Sequence, residues 1–111
     1  MSLRRWPFAV VLAAVAAAAG ATAADPAPTR QRELLHLLTQ DCGSCHGLTL
    51  KGGLGPALTR DALAGKAPVM LQAVILHGRP GTPMPPWKAF MTEPEAAWLV
   101  EQLRAGVPDA R

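Results

Sequence analysis

Both cysteines of this 111-residue chain fall in Cys42-Gly43-Ser44-Cys45, and His46 follows at once. No other feature narrows the possible folds so far. Two thiols at this spacing have four chemical uses: a disulfide, a redox dithiol, half of a zinc site, or attachment of a haem. A disulfide here would close a tiny loop and restrict the unfolded chain very little. Redox dithiols sit at a helix N-terminus in a βαβ setting, and no segment of this chain alternates as a half-buried strand would. Structural zinc takes four ligands. Cys42, Cys45 and one histidine leave that set incomplete, and there is no second CxxC and no HxxxH. Haem attachment uses all three residues. The thiols add across the two vinyl groups of one porphyrin edge, and the adjacent imidazole meets the iron from one face.

Two features away from the motif support the haem reading. The first is an export signal. "MSLRR" is a short basic start, an apolar Ala-rich run follows, and Ala21-Thr22-Ala23 has the small-x-small form of a cleavage site. This predicts a signal peptide over residues 1–23, cleaved near Ala23, and a periplasmic protein with no membrane attachment afterwards. An uncleaved anchor is the alternative, because the uncharged run from Trp6 to Ala24 is long enough to span a bilayer. Arg4-Arg5 also fits a twin-arginine leader. The second feature is a core short of bulk. From Ala24 onward there are two Trp, one Phe and no Tyr. A domain of this size needs a staple or a buried group to complete its interior.

Periodicity and caps outline an all-α domain over residues 29–106, after a linker at 24–28 and before a tail at 107–111. Thr29 reads as the N-cap of a first helix that runs into Cys42, with Leu34, Leu37, Leu38 and Asp41 on one face and Leu35 widening it. A short helix starts near Thr59 and stops at Gly65. A third spans 68–77, with Pro68 in its first turn and Gly78 as a left-handed cap. The last helix opens with a Thr92/Glu95 capping box, holds Pro94 in its first turn, ends at Gly106 and turns Trp98, Leu99 and Leu103 inward. Between the third and last helices, "RPGTPMPPW" carries four prolines and is an extended loop.

An electron carrier needs both axial positions of its iron filled. The candidates for the second are Met70, Met84, Met91, His36 and His77. Met84 leads: prolines on both sides stiffen its loop, so a thioether is held there at small entropic cost. Met91 is second, with a packing role before the last helix as its alternative. Met70 reads as core packing, His36 as exposed, and His77 as a helix-end residue with a lesser claim to a bis-His site. Thioether ligation raises the reduction potential relative to a second imidazole. A carbonyl in the Gly53–Pro56 stretch is placed to accept the His46 Nδ1–H, although Gly-Pro also serves as a simple turn. Trp87 could give its indole N–H to a propionate, or simply pack.

With CxxCH in front, Gly-Pro about ten residues on, a "MPPW" loop and a closing amphipathic helix, the chain resembles the class I cytochromes c over about residues 30–105. More narrowly, "QDCGSCHGLTLKGGLGPALT" with "GRPGTPMPPW" resembles the small periplasmic cytochromes of the c-55X type. These accompany the haem-containing dissimilatory nitrite reductase of denitrifying bacteria. The resemblance implies a class I fold of about four helices around one covalent haem c, attached at Cys42 and Cys45, with His46 and Met84 as axial ligands. It implies the Pro56 carbonyl as acceptor for the His46 N–H. It also implies electron donation to nitrite reductase, or a part in maturing that enzyme's modified haem. Many class I members have a glycine and an aromatic eight and four residues before the first cysteine. Here Leu34 and Leu38 stand there, which predicts a wider crossing of the first and last helices.

The formal charge of the whole chain is +3, but from Ala24 onward nine Lys and Arg face eight Asp and Glu. That balance is not even along the chain. Residues 51–92 hold Lys51, Arg60, Lys66, Arg79 and Lys88 against Asp61 alone, and the acids concentrate in the terminal parts. The pattern predicts a weak, salt-sensitive encounter with an acidic patch on a redox partner; the chain itself is expected to be a monomer. No basic run with stacking aromatics points to nucleic acid. The expectation is a one-electron carrier and not an enzyme. The rival, a haem enzyme or gas sensor with an open distal site, requires that Met84 be absent or displaceable.

Overall fold

The computed structural model of the chain describes residues 24–107. The expected signal peptide and the end of the tail lie outside the described residues. Five α-helices follow one another: α1 (Pro28–Leu37), α2 (Gly43–His46), α3 (Arg60–Leu63), α4 (Pro68–His77) and α5 (Glu93–Ala105). A π-helical turn, Leu38–Cys42, joins α1 to α2. Among the described residues there is no strand, and no helix is long and apolar enough to cross a membrane.

The helix termini follow local chemistry. α5 has the full capping box: the Thr92 Oγ1 accepts from Glu95 N at 3.3 Å and the Glu95 carboxylate accepts from Thr92 N at 3.2 Å. Met91, just before the cap, is buried in one cluster with Ala96, which is the staple arrangement. Thr59 caps α3 through the Ala62 amide. That helix stops at Leu63, and the chain turns before Gly65. α4 has the expected bounds, Pro68 at its start and Gly78 at φ 69 after its end.

Two expectations about α1 need correction. Its N-cap is Ala27, which makes no side-chain cap bond, and Thr29 lies inside the helix. Pro28 takes the first position, where its fixed φ suits the helix and its missing N–H is no loss. Asp41 does not share the apolar face; it is exposed. Leu34 and Leu38 are buried at 0% and 2% exposure, and the wider π turn rotates the chain less per residue after Leu38, which swings Asp41 off their face into water. Leu37 and Leu35 are half-buried against the same core.

The core gathers Leu34 and Leu38 from the first helical stretch with Trp98, Leu99 and Leu103 from α5, and Leu76 of α4 closes it. Leu34 and Leu38 thus fill the place where α1 meets α5. That junction is also pinned from outside. The Arg30 guanidinium forks onto Glu95, Nε to Oε1 at 3.1 Å and Nη2 to Oε2 at 2.9 Å, and Nη2 also donates to the Phe90 carbonyl at 2.7 Å. One α1 residue therefore clamps the N-terminus of α5 and the loop ahead of it.

Candidate haem site

The helical path through the π turn runs without a break into Cys42, Cys45 and His46, so the three side chains are carried on one turn. Ser44 secures that turn by donating to the Asp41 carbonyl at 2.7 Å. Cys42 and Cys45 are half-buried and not joined to each other. Burial, with Asp41 as a lesser cause, pushes the Cys42 thiol up to about 11. Catalytic dithiols have the opposite shift, so the redox reading loses support. Among the described residues no group of three His, Cys, Asp or Glu is placed to hold a metal ion, which removes the zinc reading.

His46 has the partner expected for it. Its Nδ1 lies 2.6 Å from the Pro56 carbonyl oxygen. A carbonyl only accepts, so Nδ1 carries the proton, and the neutral ring keeps the Nε2 lone pair free for a metal. Glycine at 55 makes this approach possible: a Cβ there would fall 2.7 Å from His46 Cε1 and 2.8 Å from Nδ1. The loop is tied to the motif's backbone by Gly55 N to Cys45 O and Gly52 N to His46 O, each 2.8 Å. The donor set thus fits a haem held by two thioethers and one imidazole. The bound group would supply a reversible one-electron couple, and the protein's part is to hold, orient and shield it.

The other expected residues lie on the 79–90 loop. Met84 is half-buried. Its amide donates to Thr82 Oγ1 at 3.4 Å, and its carbonyl accepts from Arg79 N at 3.2 Å. A Cβ on Gly78 would fall 2.7 Å from the Met84 oxygen and 2.8 Å from the Pro85 carbonyl carbon, so the loop folds directly onto the cap of α4. Trp87 is half-buried against the core. Its amide donates to Ile75 O at 3.0 Å, and its ring meets Phe90 at 5.5 Å between centroids. Met91 is 6% exposed and belongs to the core. Met70, expected in the core, is 45% exposed on the first turn of α4; its neighbour Leu71 packs against the core instead. His36 and His77 are exposed.

Sequence reasoning overlooked Gly55 and Gly78 as contact residues. Their signal was present, a glycine beside each of the two expected ligand segments, but which atoms press on a missing side chain is a tertiary fact.

An all-helical chain that mounts two thiols and a carbonyl-oriented imidazole on one turn is a c-type cytochrome. The comparisons agree and go further. Residues 29–102 match the family model described as cytochrome c oxidase, cbb3-type, subunit III. Cytochrome c55X of Stutzerimonas stutzeri is 60% identical over 88 residues, 79% of this chain and 78% of that protein. Cytochrome c55X of Paracoccus denitrificans is 49% identical over 94 residues, 85% of this chain and 91% of that one. The solved structure of the c-type cytochrome NirC superposes with a TM-score of 0.71 at 57% identity, covering 72% of this chain and 94% of that chain. The chain belongs to the cytochrome c55X family, an electron-carrying c-type cytochrome with one covalently bound haem c. A further likeness is to a small part of a larger protein. The dihydro-heme d1 dehydrogenase of Pseudomonas aeruginosa is 38% identical over 72 residues, which is 65% of this chain but 15% of that enzyme.

Proposed function

We propose that this chain is a periplasmic one-electron carrier whose haem is joined to Cys42 and Cys45 and ligated by His46 and Met84. In this reading residues 1–23 leave as a signal peptide, 24–28 are a linker, 29–106 form the haem domain and 107–111 a short tail. The observation that carries the ligation is the 2.6 Å contact of His46 Nδ1 with Pro56 O, which frees Nε2 and fixes the ring. Met84 is supported by its doubly bonded, proline-flanked loop and by the burial of its rival Met91 in the core. Trp87, anchored on the same loop, is the candidate to face a propionate. A filled sixth position leaves no site for a substrate, so the protein works by giving and taking single electrons and catalyses no reaction of its own.

Ferric iron bound by a thioether has a weak near-infrared charge-transfer band. The purified ferric protein should show it, and Met84→Ala should lose it along with a fall in reduction potential. A band that persists in Met84→Ala would overturn the assignment.

For the physiological partner, nitrite reductase in denitrification is the first reading, from the family to which the chain belongs. The likeness to dihydro-heme d1 dehydrogenase favours a second: electron transfer for an enzyme that matures a modified haem. The solved structure with that likeness is the enzyme in complex with DHE, and its match to this chain has a TM-score of 0.60 at 36% identity. Mixing the reduced or oxidised protein with each enzyme in a stopped-flow spectrometer separates the two readings.

A further inference from the structure

The segment ahead of α1 is tied to the fold. Gln31, in the first turn of α1, donates through Nε2 to the Pro26 carbonyl at 2.9 Å and through its amide to Ala27 O at 2.9 Å. Pro26 is half-buried. Fixed at that end, the segment brings Ala24 and Asp25 against α5, where they line a recess with Pro94, Ala97, Trp98 and Glu101. The α5 residues stand at i, i+3, i+4 and i+7, so they form one stripe of the helix.

The stripe is apolar except at one end. Trp98 is 7% exposed and belongs to the core cluster with Leu34, and Pro94 and Ala97 carry no charge. Glu101 is exposed, and among the described residues it makes no ion pair; both ion pairs there use Arg30. Arg104, one turn further along α5, does not pair with it either. Glu101 lies in the C-terminal half of α5, where the helix dipole gives a carboxylate no help. None of the recess residues belongs to the haem-bearing turn, to the 47–58 loop or to the methionine loop.

We propose that this recess receives the α-ammonium group that leader cleavage creates at Ala24, with Glu101 as its counter-ion. The site rests on the reading that residues 1–23 leave as a signal peptide. In that cleavage water adds OH to the Ala23 carbonyl carbon and a hydrogen to Ala24 N as the C–N bond breaks. The new carboxyl group then gives its proton to the amine, which leaves a carboxylate on Ala23 and an ammonium on Ala24 at neutral pH. Residues 24–29 contain one charged side chain, Asp25, and no cation. Before cleavage the recess therefore sets two carboxylates, Asp25 and Glu101, near one another with nothing to balance them. Cleavage turns a neutral amide into a cation at the residue that already lies on α5. Removing the leader thus relieves a repulsion and fastens the mature N-terminus beside Trp98.

The test uses the haem-loaded protein recovered after export and three variants. One is Glu101→Gln. The second is a Ser-Gly insertion before Ala24, which carries the ammonium up to about 7 Å outward. The third combines the two. Mass spectrometry first reads the N-terminus, which should be Ala24 in the native chain. Each single change should lower the thermal midpoint by about 3 °C, the size of one exposed ion pair in a domain of this length. The combined variant should fall no further than either alone, because both changes remove the same contact. At pH 7 the Ala24 amine should react about threefold faster with an acylating reagent in Glu101→Gln than in the native protein, read on the N-terminal peptide, because no carboxylate then holds the proton on the amine. Additive losses, or midpoints and labelling rates that do not change, in a protein that begins at Ala24 overturn the ion pair and leave signal cleavage standing. A purified chain that begins elsewhere, or keeps its leader, overturns the cleavage position and the site with it.

Discussion

At the residue scale, the haem-bearing turn depends on what presses against the histidine from behind. Gly55 has no side chain because the imidazole occupies that space, 2.7 Å from where a Cβ would stand. Gly55→Ala must move either the ring or the Pro56 carbonyl. Overpacking of this kind costs about 1–3 kcal/mol, and a lengthened Nδ1 contact makes the imidazole a poorer donor to iron. The expected outcome is a lower denaturation midpoint together with a shifted reduction potential; a native potential would show that Pro56 does not tune the ligand. Arg30 is the other residue on which much rests. Its guanidinium holds the Glu95 carboxyl below the usual carboxylate range, chiefly through their hydrogen bond. A carboxylate with a depressed folded pKa adds stability that is fully present above its unfolded value, about 4.3, and is lost as pH falls through the lower folded value. Arg30→Ala should cost about 1 kcal/mol at neutral pH, a modest figure because the guanidinium is 33% exposed. That cost should shrink in acid, where Glu95 is protonated in native protein and variant alike. Urea midpoints above and below that range check the sign.

At the element scale, α4 and the methionine loop behave as one unit. Gly78 closes the helix at φ 69, and its bare Cα lets Met84 O and Pro85 approach. Trp87 N and Lys88 N then bond back to Ile75 O and Leu76 O at 3.0 and 3.2 Å. Gly78→Ala therefore combines a left-handed backbone unfavourable to alanine with a clash at Met84, about 1–3 kcal/mol of local strain. If Met84 is the axial ligand as proposed, added imidazole should displace it more readily in this variant, read as tighter imidazole binding in a spectral titration; unchanged binding would show that the cap does not hold the loop. These helices were legible in the sequence because their ends are written in local chemistry: Pro68 and Gly78, Thr92 with Glu95, Thr59 before α3. The π turn was not legible. Nothing in Leu38–Cys42 departs from an α-helical pattern by composition, and the wider turn makes sense only once Asp41 must reach water while Leu34 and Leu38 stay in the core.

At the scale of the whole molecule, the His46–Pro56 part of the candidate site was legible for a different reason. CxxCH is a covalent requirement, and the Gly-Pro carbonyl lies close enough in sequence to His46 for one loop to close the contact. Met70 was misjudged because helical spacing gives a residue's face but not which face the neighbouring helices cover; it is 45% exposed. Charge is the property that only the whole chain displays. The cations Lys51, Arg60, Lys66, Arg79 and Lys88 belong to loops and short helices from the haem-bearing turn to the methionine loop and are exposed. Acids gather on α5, at Glu93, Glu95 and Glu101, whereas α1 holds only Glu33, and Arg30 pairs with both Glu33 and Glu95. A small net charge thus conceals an uneven distribution along the chain, and the reading of a basic docking segment predicts steering toward an acidic partner before contact. Such steering acts over about a Debye length, roughly 10 Å at 0.1 M salt. The second-order rate with a protein partner should fall steeply as ionic strength rises, while first-order transfer at saturating partner should not change. A second-order rate that is flat across the same range would mean that the cations are ordinary solvated surface, and that encounter is governed by apolar contact alone.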